Sequence, residues 1–348
     1  MRVAQRTISR NYMKTLNTSL SKRADSLERG SSGLKFAKLS DNVADGSRAM
    51  HIQEERYKAT KQLGNVEDLL SEMNSVDSNM KSIQEIMQSI QEKTLKGMSE
   101  NYGQDARDVL AKEIASRKEQ ILQFANAQFS GKFLFSGTNN STPPFTAGDD
   151  GKLMFNGIKV EDIYQKDGDS RFYYKDADGN EQEVPHSGDI FADAGLGLKI
   201  NGDNQADPRT AFQVSFSGLK MLGFGEEITG KDGTKVASNV YDLLTQIENA
   251  LSPEINREAM NDLHRQLVDL TDQVGMSRSD LGTRMNFLER NEERLKEDID
   301  NMSEMESNLV SSDPAEEAMK MKECEYVWMA VLQLGSQVLP SSLLDFMR

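Results

Sequence analysis

The chain has a single cysteine, Cys324, among 348 residues. It cannot close a disulfide within itself, and a cysteine-based zinc site is excluded as well. Such low usage suits the cytosol or an extracellular assembly that does not depend on oxidation. Histidine is almost as scarce. His51, His186 and His264 lie far apart and no HExxH pair occurs, which removes a helix-borne zinc protease at the level of the motif. No serine or cysteine has a local base beside it, as nucleophilic catalysis requires. A phosphate-cradling glycine loop is also missing: Gly195-Leu-Gly-Leu-Lys199 lacks a third glycine and a helical stripe after it. Asp176-Ala-Asp-Gly-Asn180 starts like a calcium loop, but Glu181 stands where the sixth-position glycine belongs, so a hairpin turn is the better reading. No cofactor and no metal are expected.

Aromatic residues are only 7% of the chain, which suits a thin core more than a large globular one. The longest apolar run, Tyr326-Val-Trp-Met-Ala-Val-Leu332, falls well short of the ~20 residues of a spanning helix. The first residues lack the apolar centre of a secretory signal. They are basic instead, with Arg2, Arg6, Arg10, Lys14, Lys22 and Arg23 before the first acid, Asp25. An organelle transit peptide can start this way, but nothing resembles a cleavage site. The whole chain is acidic, 56 acidic against 41 basic side chains for a formal charge of -15, which disfavours nucleic acid as a partner.

What the sequence does have is two apolar ladders. Val66, Leu69, Met73, Val76, Met80, Ile83, Met87 and Ile90 alternate steps of three and four. Leu267, Val274, Leu281, Leu288, Leu295, Met302 and Leu309 recur every seven residues. Each is the seam of a helix packed lengthwise on another helix, and the pair predicts an intramolecular coiled-coil seam. At 1.5 Å per residue the second ladder would run roughly 65 Å, with Gly275 and Gly282 as weak points. Many of the 18 methionines sit on or near these ladders, as core filling or as an interface able to accept more than one neighbour geometry.

Between the ladders the composition changes. Residues 139–235 hold 14 of the 25 glycines and 4 of the 7 prolines, with 17 acidic against 10 basic side chains. Leu153-Met-Phe155, Asn156-Gly157 and Ile158-Lys-Val160 predict one hairpin; Arg171-Phe-Tyr-Tyr174 and Glu181-Gln-Glu-Val184 across Asp178-Gly-Asn180 predict another. Leu110, Ile114, Ile121 and Phe124 predict a helix before this centre, and Val240, Leu243, Leu244, Ile247 and Leu251 one after it. Residues 1–60 are locally basic, and their thin apolar stripe reaches about Arg29 before Gly30-Ser-Ser-Gly33 breaks it. Ser312-Asp-Pro-Ala-Glu-Glu317 codes a fresh helix start: a capping residue, a first-turn proline and acids at the positive end. That last helix is apolar round much of its circumference and must be buried against something. The fold expected is mainly α with a small β-rich insert and long antiparallel coiled-coil arms drawn from both ends. The domains expected are 1–60 with 312–348, 61–138 with 236–311, and 139–235.

Several segments, in order, resemble the flagellin superfamily. Ser31-Ser-Gly33-Leu-Lys35 with Ser40-Asp41-Asn-Val-Ala44 is similar to its N-terminal motif, with Asn42 in place of an aspartate. Leu281-Gly282-Thr-Arg284-Met-Asn286-Phe-Leu-Glu289 and Asp313-Pro-Ala-Glu-Glu-Ala318 are similar to its C-terminal motifs. The stretch Ala125-Asn126-Ala-Gln-Phe-Ser-Gly131-Lys-Phe133-Leu-Phe135-Ser-Gly137, then Pro144-Phe145, Gly188-Asp-Ile-Phe191 and the tail Ser342-Leu343-Leu344-Asp-Phe346, resembles the branch that forms the hook–filament junction.

The resemblance implies a structural, non-enzymatic part of the bacterial flagellum. Both ends would pair as coaxial helices in a tube wall, the ladders would form the next shell, and the centre would face solvent. The chain would leave the cell through the flagellar type III export apparatus without a cleaved signal, its ends disordered until assembly. Its partners would be other copies of itself, the first hook-associated protein on one side and flagellin on the other. A cytosolic export chaperone would cover the apolar face of the last helix, at Val327, Trp328, Val331, Leu332 and Leu334, with Leu343 and Leu344 in the tail. Phe133 and Phe135 would pack the junction of arm and centre, and Ser40 to Ala44 would be a structural turn. Two alternatives stand beside this: a filament flagellin subunit, and a cytosolic coiled-coil binding module whose basic start meets acidic lipid or nucleic acid.

Overall fold

A computed structural model describes residues 2–36, 38, 40–99, 102–138, 142–166, 171–176, 178–194, 199, 212–230, 233–251 and 256–338. It divides into two compact units: unit 1 takes the two ends of the chain, 1–61 and 296–348, and unit 2 is Gln62–Leu295. The described helices are α1 (Arg2–Ser32), α2 (Val43–Gly97), α3 (Gln104–Ala125), α4 (Gly218–Leu222), α5 (Val240–Ala250), α6 (Arg257–Val310) and α7 (Pro314–Val338). The protein is thus mainly helical, and its described strands, all short, lie between α3 and α5.

Unit 2 is built on the two ladders. On α2, Val66, Met73, Val76, Met80, Ile83, Met87 and Ile90 are buried, as are Leu267, Val274, Leu281, Leu288 and Leu295 on α6. The first ladder needs one adjustment, because Leu70 is buried while the adjacent Leu69 stays half-exposed. A strict three-four spacing drifts against a real helix of 3.6 residues per turn, so the buried stripe shifts by one position. Polar contacts fix direction and register. Gln91 Nε2 donates to Thr271 Oγ1 at 2.6 Å and to the Leu267 carbonyl at 3.3 Å. Arg278 grips Asp77 with two hydrogen bonds, 2.9 and 3.2 Å, and gives Nη1 to Gln84 Oε1 at 3.1 Å. As the α2 number falls the α6 number rises, so the two helices run antiparallel. α6 runs through Gly275 and Gly282 without a break. A Cβ on Gly275 would stand 3.3 Å from the Gln84 amide nitrogen, so the glycine lets the two helices approach closely.

The last residue of α2, Gly97, must be small. A Cβ there would come within 2.7 Å of a Leu251 methyl and 3.0 Å of a Leu110 methyl, so the end of α2 is packed tightly against leucines of α3 and of the C-cap of α5. α3 then lies on α5. Lys118 reaches Glu248 at 3.3 Å and Thr245 at 3.1 Å, and the Tyr241 hydroxyl donates to Glu119 at 3.0 Å. Asn239 caps α5 by accepting from the Asp242 amide at 2.9 Å.

The described strands form five small antiparallel sheets. β1 (Gln128–Phe129) and β2 (Lys132–Phe133) make a hairpin, and β3 (Phe145–Ala147), β4 (Leu153–Phe155) and β5 (Ile158–Lys159) make a three-stranded sheet. β6 (Tyr164–Gln165), β7 (Phe172–Lys175) and β8 (Glu181–Glu183) make another. β9 (Phe191–Ala192) pairs with β10 (Phe212–Gln213), and β11 (Ile228–Thr229) with β12 (Lys235–Val236). Both expected hairpins are present. Asn156 and Gly157 take positive φ of 48° and 84°, as a tight two-residue turn between twisted strands requires, and Phe155 faces Ile158 across it. In the second, the Asp176 carboxylate accepts from the amides of Asp178 and Asn180, so the acidic run closes a turn; these bonds hold the carboxyl below its usual range. The core under the sheets is aromatic, with Phe145 against Phe155 at 5.1 Å and Phe172 edge-on to Phe224 at 5.0 Å. Asp242 fastens it to α5: its buried carboxylate accepts from the Leu153 amide at 2.9 Å.

In unit 1, α1 packs along α7, and the first part of α2 meets the end of α6 through an Arg56–Glu306 ion pair at 2.9 Å. Met302 and Leu309, the last rungs of the second ladder, belong to this unit and are half-buried. α2 begins at Val43, well before the ladder starts at Val66. Its early part buries Gly46, Ala49 and Ala59, residues too small to write an apolar period into the sequence.

Truncating the seam should be costly. Ile83→Ala or Leu281→Ala should lower the stability of unit 2 by about 2–5 kcal/mol in a denaturant titration, the usual loss for a fully buried aliphatic. The Tyr241 phenol makes a second expectation. Burial, and then its bond to Glu119, pushes it up to about 12. The folded state holds that proton more tightly than the unfolded chain, where the group titrates near 10, so stability falls as pH rises from about 10 to about 12. Tyr241→Phe should flatten the melting temperature against pH across that window.

Candidate assembly surface

The two units differ sharply in what they bury. Among the described residues 46 apolar side chains are buried, and unit 1 holds three of them, Ala49, Ala59 and Val331. Of the 22 large apolar side chains that stand exposed, unit 1 holds 15, though it is only about a third of the chain. Ile8, Met13, Leu20 and Leu27 are exposed on α1, Val43, Met50 and Tyr57 on α2, and Met319, Tyr326, Val327, Met329, Leu332 and Leu334 on α7. Unit 1 therefore leaves most of its large apolar side chains open to solvent.

α1 and α7 are held to each other by small and polar groups. Ser19 and Ser26 are buried on α1, and Glu317 on α7. Arg29 Nε stands 3.5 Å from the Glu317 carboxylate. Tyr12 fits where Gly335 leaves a notch: a Cβ there would fall 2.0 Å from the phenol oxygen. Small side chains let helices approach, but they bury little apolar area and contribute little hydrophobic free energy.

The residues expected to form the α7 surface separate. Val327, Leu332 and Leu334 are exposed at 53%, 47% and 55%, and Trp328 is half-buried. Val331 is corrected: at 8% exposed it does not belong to the outward face. It is four residues from Gly335, one helical turn, and so lies on the side that meets α1. Leu343 and Leu344 lie outside the described residues. Tyr326 and Met329, exposed at 66% and 50%, extend the surface and were not singled out in the sequence, although they belong to the same apolar run.

The motif residues mostly hold backbone in place. Gly33, at φ 70°, ends α1 with its amide on the Arg29 carbonyl. Asp41 accepts from the Lys38 amide at 3.1 Å, and Asn42 caps α2 by accepting from the Asp45 amide at 3.2 Å. Gly131 closes the β1–β2 hairpin at φ 79°, beside Ser130 at 48°. Asn126 behaves as a piece of strand: its amide nitrogen donates to the Phe145 carbonyl at 2.8 Å and its oxygen accepts from the Phe145 amide at 3.0 Å. β3 is thereby pinned to the end of α3. Gly137 has φ 68°, and a Cβ would stand 2.2 Å from the His186 carbonyl oxygen. Phe135 is fully buried and Phe133 half-buried. On α6, Leu281 and Leu288 are buried, Arg284 pairs with Asp280 at 2.6 Å and lies 5.0 Å from the Phe216 ring, Gly282 has open space around it, and Asn286 and Glu289 are exposed.

The histidines do not converge. His51 meets Glu55 at 3.3 Å, the His186 ring meets Thr138 at 3.2 Å, and His264 is half-buried on α6, its pKa lowered by burial. Among the described residues no helix is long and apolar enough to cross a membrane, and no group of three or more His, Cys, Asp or Glu is placed to hold a metal ion.

A helical seam around a β-rich insert, with an apolar surface on the paired chain ends, defines a structural protein built for packing. Residues 3–140 match the bacterial flagellin N-terminal helical region, and residues 266–347 match the bacterial flagellin C-terminal helical region. The chain belongs to the bacterial flagellin family. Its fold is similar to that of a putative flagellar hook-associated protein from Vibrio parahaemolyticus, with a TM-score of 0.55 at 17% identity over 78% of this chain and 100% of that one. Also similar are a flagellar hook-associated protein-3 from Legionella pneumophila (TM-score 0.48, 15% identity, 75% and 98% covered) and Bacillus cereus FlgL (TM-score 0.46, 16%, 74% and 98%). No curated protein matches the chain in sequence.

Asn126 gives the test of the motif reading. Asn126→Ala should destabilise the attachment of β3 by about 1–3 kcal/mol, since it strips partners from two backbone groups of Phe145. Asn126→Asp should be no better, because a carboxylate cannot donate to the Phe145 carbonyl. Hydrogen exchange at the Phe145 amide measures both.

Proposed function

We propose that this chain is a structural adaptor of the FlgL type, the third hook-associated protein, joining the hook-side proteins to the flagellin filament. The observation that carries the reading is the imbalance of unit 1, which exposes most of its apolar side chains and buries almost none. Such a unit completes its burial only against neighbours, and in this family the neighbours are other subunits of a tube. The junction branch is favoured over the filament subunit by the stretch from Asn126 to Gly137, whose asparagine and glycine serve the joint between α3 and the insert.

On this reading the work is packing, with no bond chemistry. Residues 1–60 and 312–348 supply the wall, 61–138 and 236–311 the seam of the next shell, and 139–235 the outer domain. The neighbours are further copies of the chain, the first hook-associated protein and flagellin. An export chaperone in the cytosol covers the outward face of α7 until the chain passes the type III apparatus to its extracellular place.

Deleting the gene should leave hooks in place and shed flagellin into the medium as monomer. Loss of the filament protein itself would assign the chain as a filament subunit, and normal swimming filaments would overturn both readings. In the complementing gene, Leu332→Asp or Trp328→Asp should leave the fold of unit 2 intact but abolish filament attachment by the chain that is secreted. Normal filaments on either variant would remove α7 from the interface.

A further inference from the structure

Both chain ends break their helices at the same place. α1 stops at Ser32 and α2 starts at Val43; α6 stops at Val310 and α7 starts at Pro314. The two breaks are joined. Leu34 bridges Ser311 in antiparallel fashion, with the Lys35 amide on the Val310 carbonyl at 2.8 Å and the Ser312 amide on the Gly33 carbonyl at 2.9 Å. The Lys35 ammonium adds a bond to the Asn308 carbonyl. Gly33 at φ 70° and the Asp313 cap, which accepts from the Ala315 amide at 2.8 Å, complete both ends.

We propose that this clasp is a paired hinge, about which α1 and α7 swing as one body relative to the adjoining ends of α2 and α6. The ties within the α1–α7 pair lie beyond the clasp. Arg29–Glu317, Cys324 against the Lys22 carbonyl at 3.9 Å, and Tyr12 in the Gly335 notch span the length of the two helices. At the clasp itself the helical hydrogen-bond ladder is interrupted on both segments, so bending there breaks no helical turn. Two backbone bonds across one bridge act as a pivot: they keep the linkers level while the φ and ψ of the few residues beside them absorb rotation. A polar cleft of about 370 Å³, lined by Asp25, Arg29, Lys35, Phe36 and Asp41 among others, lies next to the pivot and leaves room for the movement. The use of such a hinge rests on the adaptor reading, since a subunit between two unlike neighbours must seat its wall helices at more than one angle.

The geometry of the bridge supplies the test. Leu34 and Ser311 form the pair whose flanking residues carry the hydrogen bonds, so their Cα atoms lie about 4.5 Å apart, within reach of a disulfide. On the full chain with Cys324→Ser, Leu34→Cys with Ser311→Cys should oxidise nearly completely. The cross-linked protein, added to hooks of the deletion strain, should support filaments as well as its reduced form. Failure to cross-link, or attachment only after reduction, would overturn the pivot. Spin labels give the motion: Thr18 to Met329 should give a narrow distance distribution, and Thr18 to Glu54 a broad one. A narrow second distribution would mean a rigid joint, and a broad first one would mean the pair does not move as a body. If the wild-type chain fails to restore filaments, the adaptor reading falls, while the cross-link and the label distances still judge the hinge.

Discussion

In unit 2 two apolar stripes must face each other or face water, and that requirement organises most of what surrounds them. Once α2 and α6 lie antiparallel, Arg278 can reach both Asp77 and Gln84 and Gln91 can reach Thr271, so the polar contacts confirm a register that burial has already selected. Leucines of α3 and of the α5 C-cap then close on the end of α2 at Gly97, α3 lies on α5, and α5 presents Asp242 to the Leu153 amide. Each step of the insert is thereby referred back to the seam. Removing the seam would leave the small sheets of two and three strands without a surface to lie on, and such sheets are at best marginal alone.

The insert illustrates how little regular structure a domain needs when side chains stand in for backbone. No described strand exceeds four residues. Asn126 takes the place of a strand neighbour for Phe145, Asp176 closes its own loop, and Asp242 satisfies an amide from another element. Burial drives the Asp242 carboxyl upward, against the hydrogen bonds that favour its charged form. Polar groups inside a thin core are acceptable on the condition that their partners are met.

Local period and turn chemistry were readable in the sequence because they repeat over short distances. The ladders, the Asn156-Gly157 hairpin, the Asp176 turn and the fresh start near Asp313 all belong to that class. What escaped depends on residues far apart or on very small ones. The early part of α2 buries Ala49 and Ala59, which carry no apolar signature, so the helix is much longer than its ladder. The meeting of Gly137 with the His186 carbonyl joins positions nearly fifty residues apart. Val331 was placed with the outward face because α7 is apolar on several sides, and an all-round stripe does not say which side finds a partner first. The notch that Gly335 leaves for Tyr12, at opposite ends of the chain, decides it.

The scarcity of buried apolar side chains in unit 1 has a thermodynamic consequence. A segment that reaches its full burial only beside a neighbour has an apparent stability that rises with how many neighbours are available. On the proposed adaptor reading, folding of the chain ends and seating of a subunit among its neighbours would be one equilibrium, with a saturation point like that of a sparingly soluble solute. Below it subunits leave, and above it they join. A protein that covers α7 would act on this equilibrium by lowering the free concentration, leaving the fold as it is.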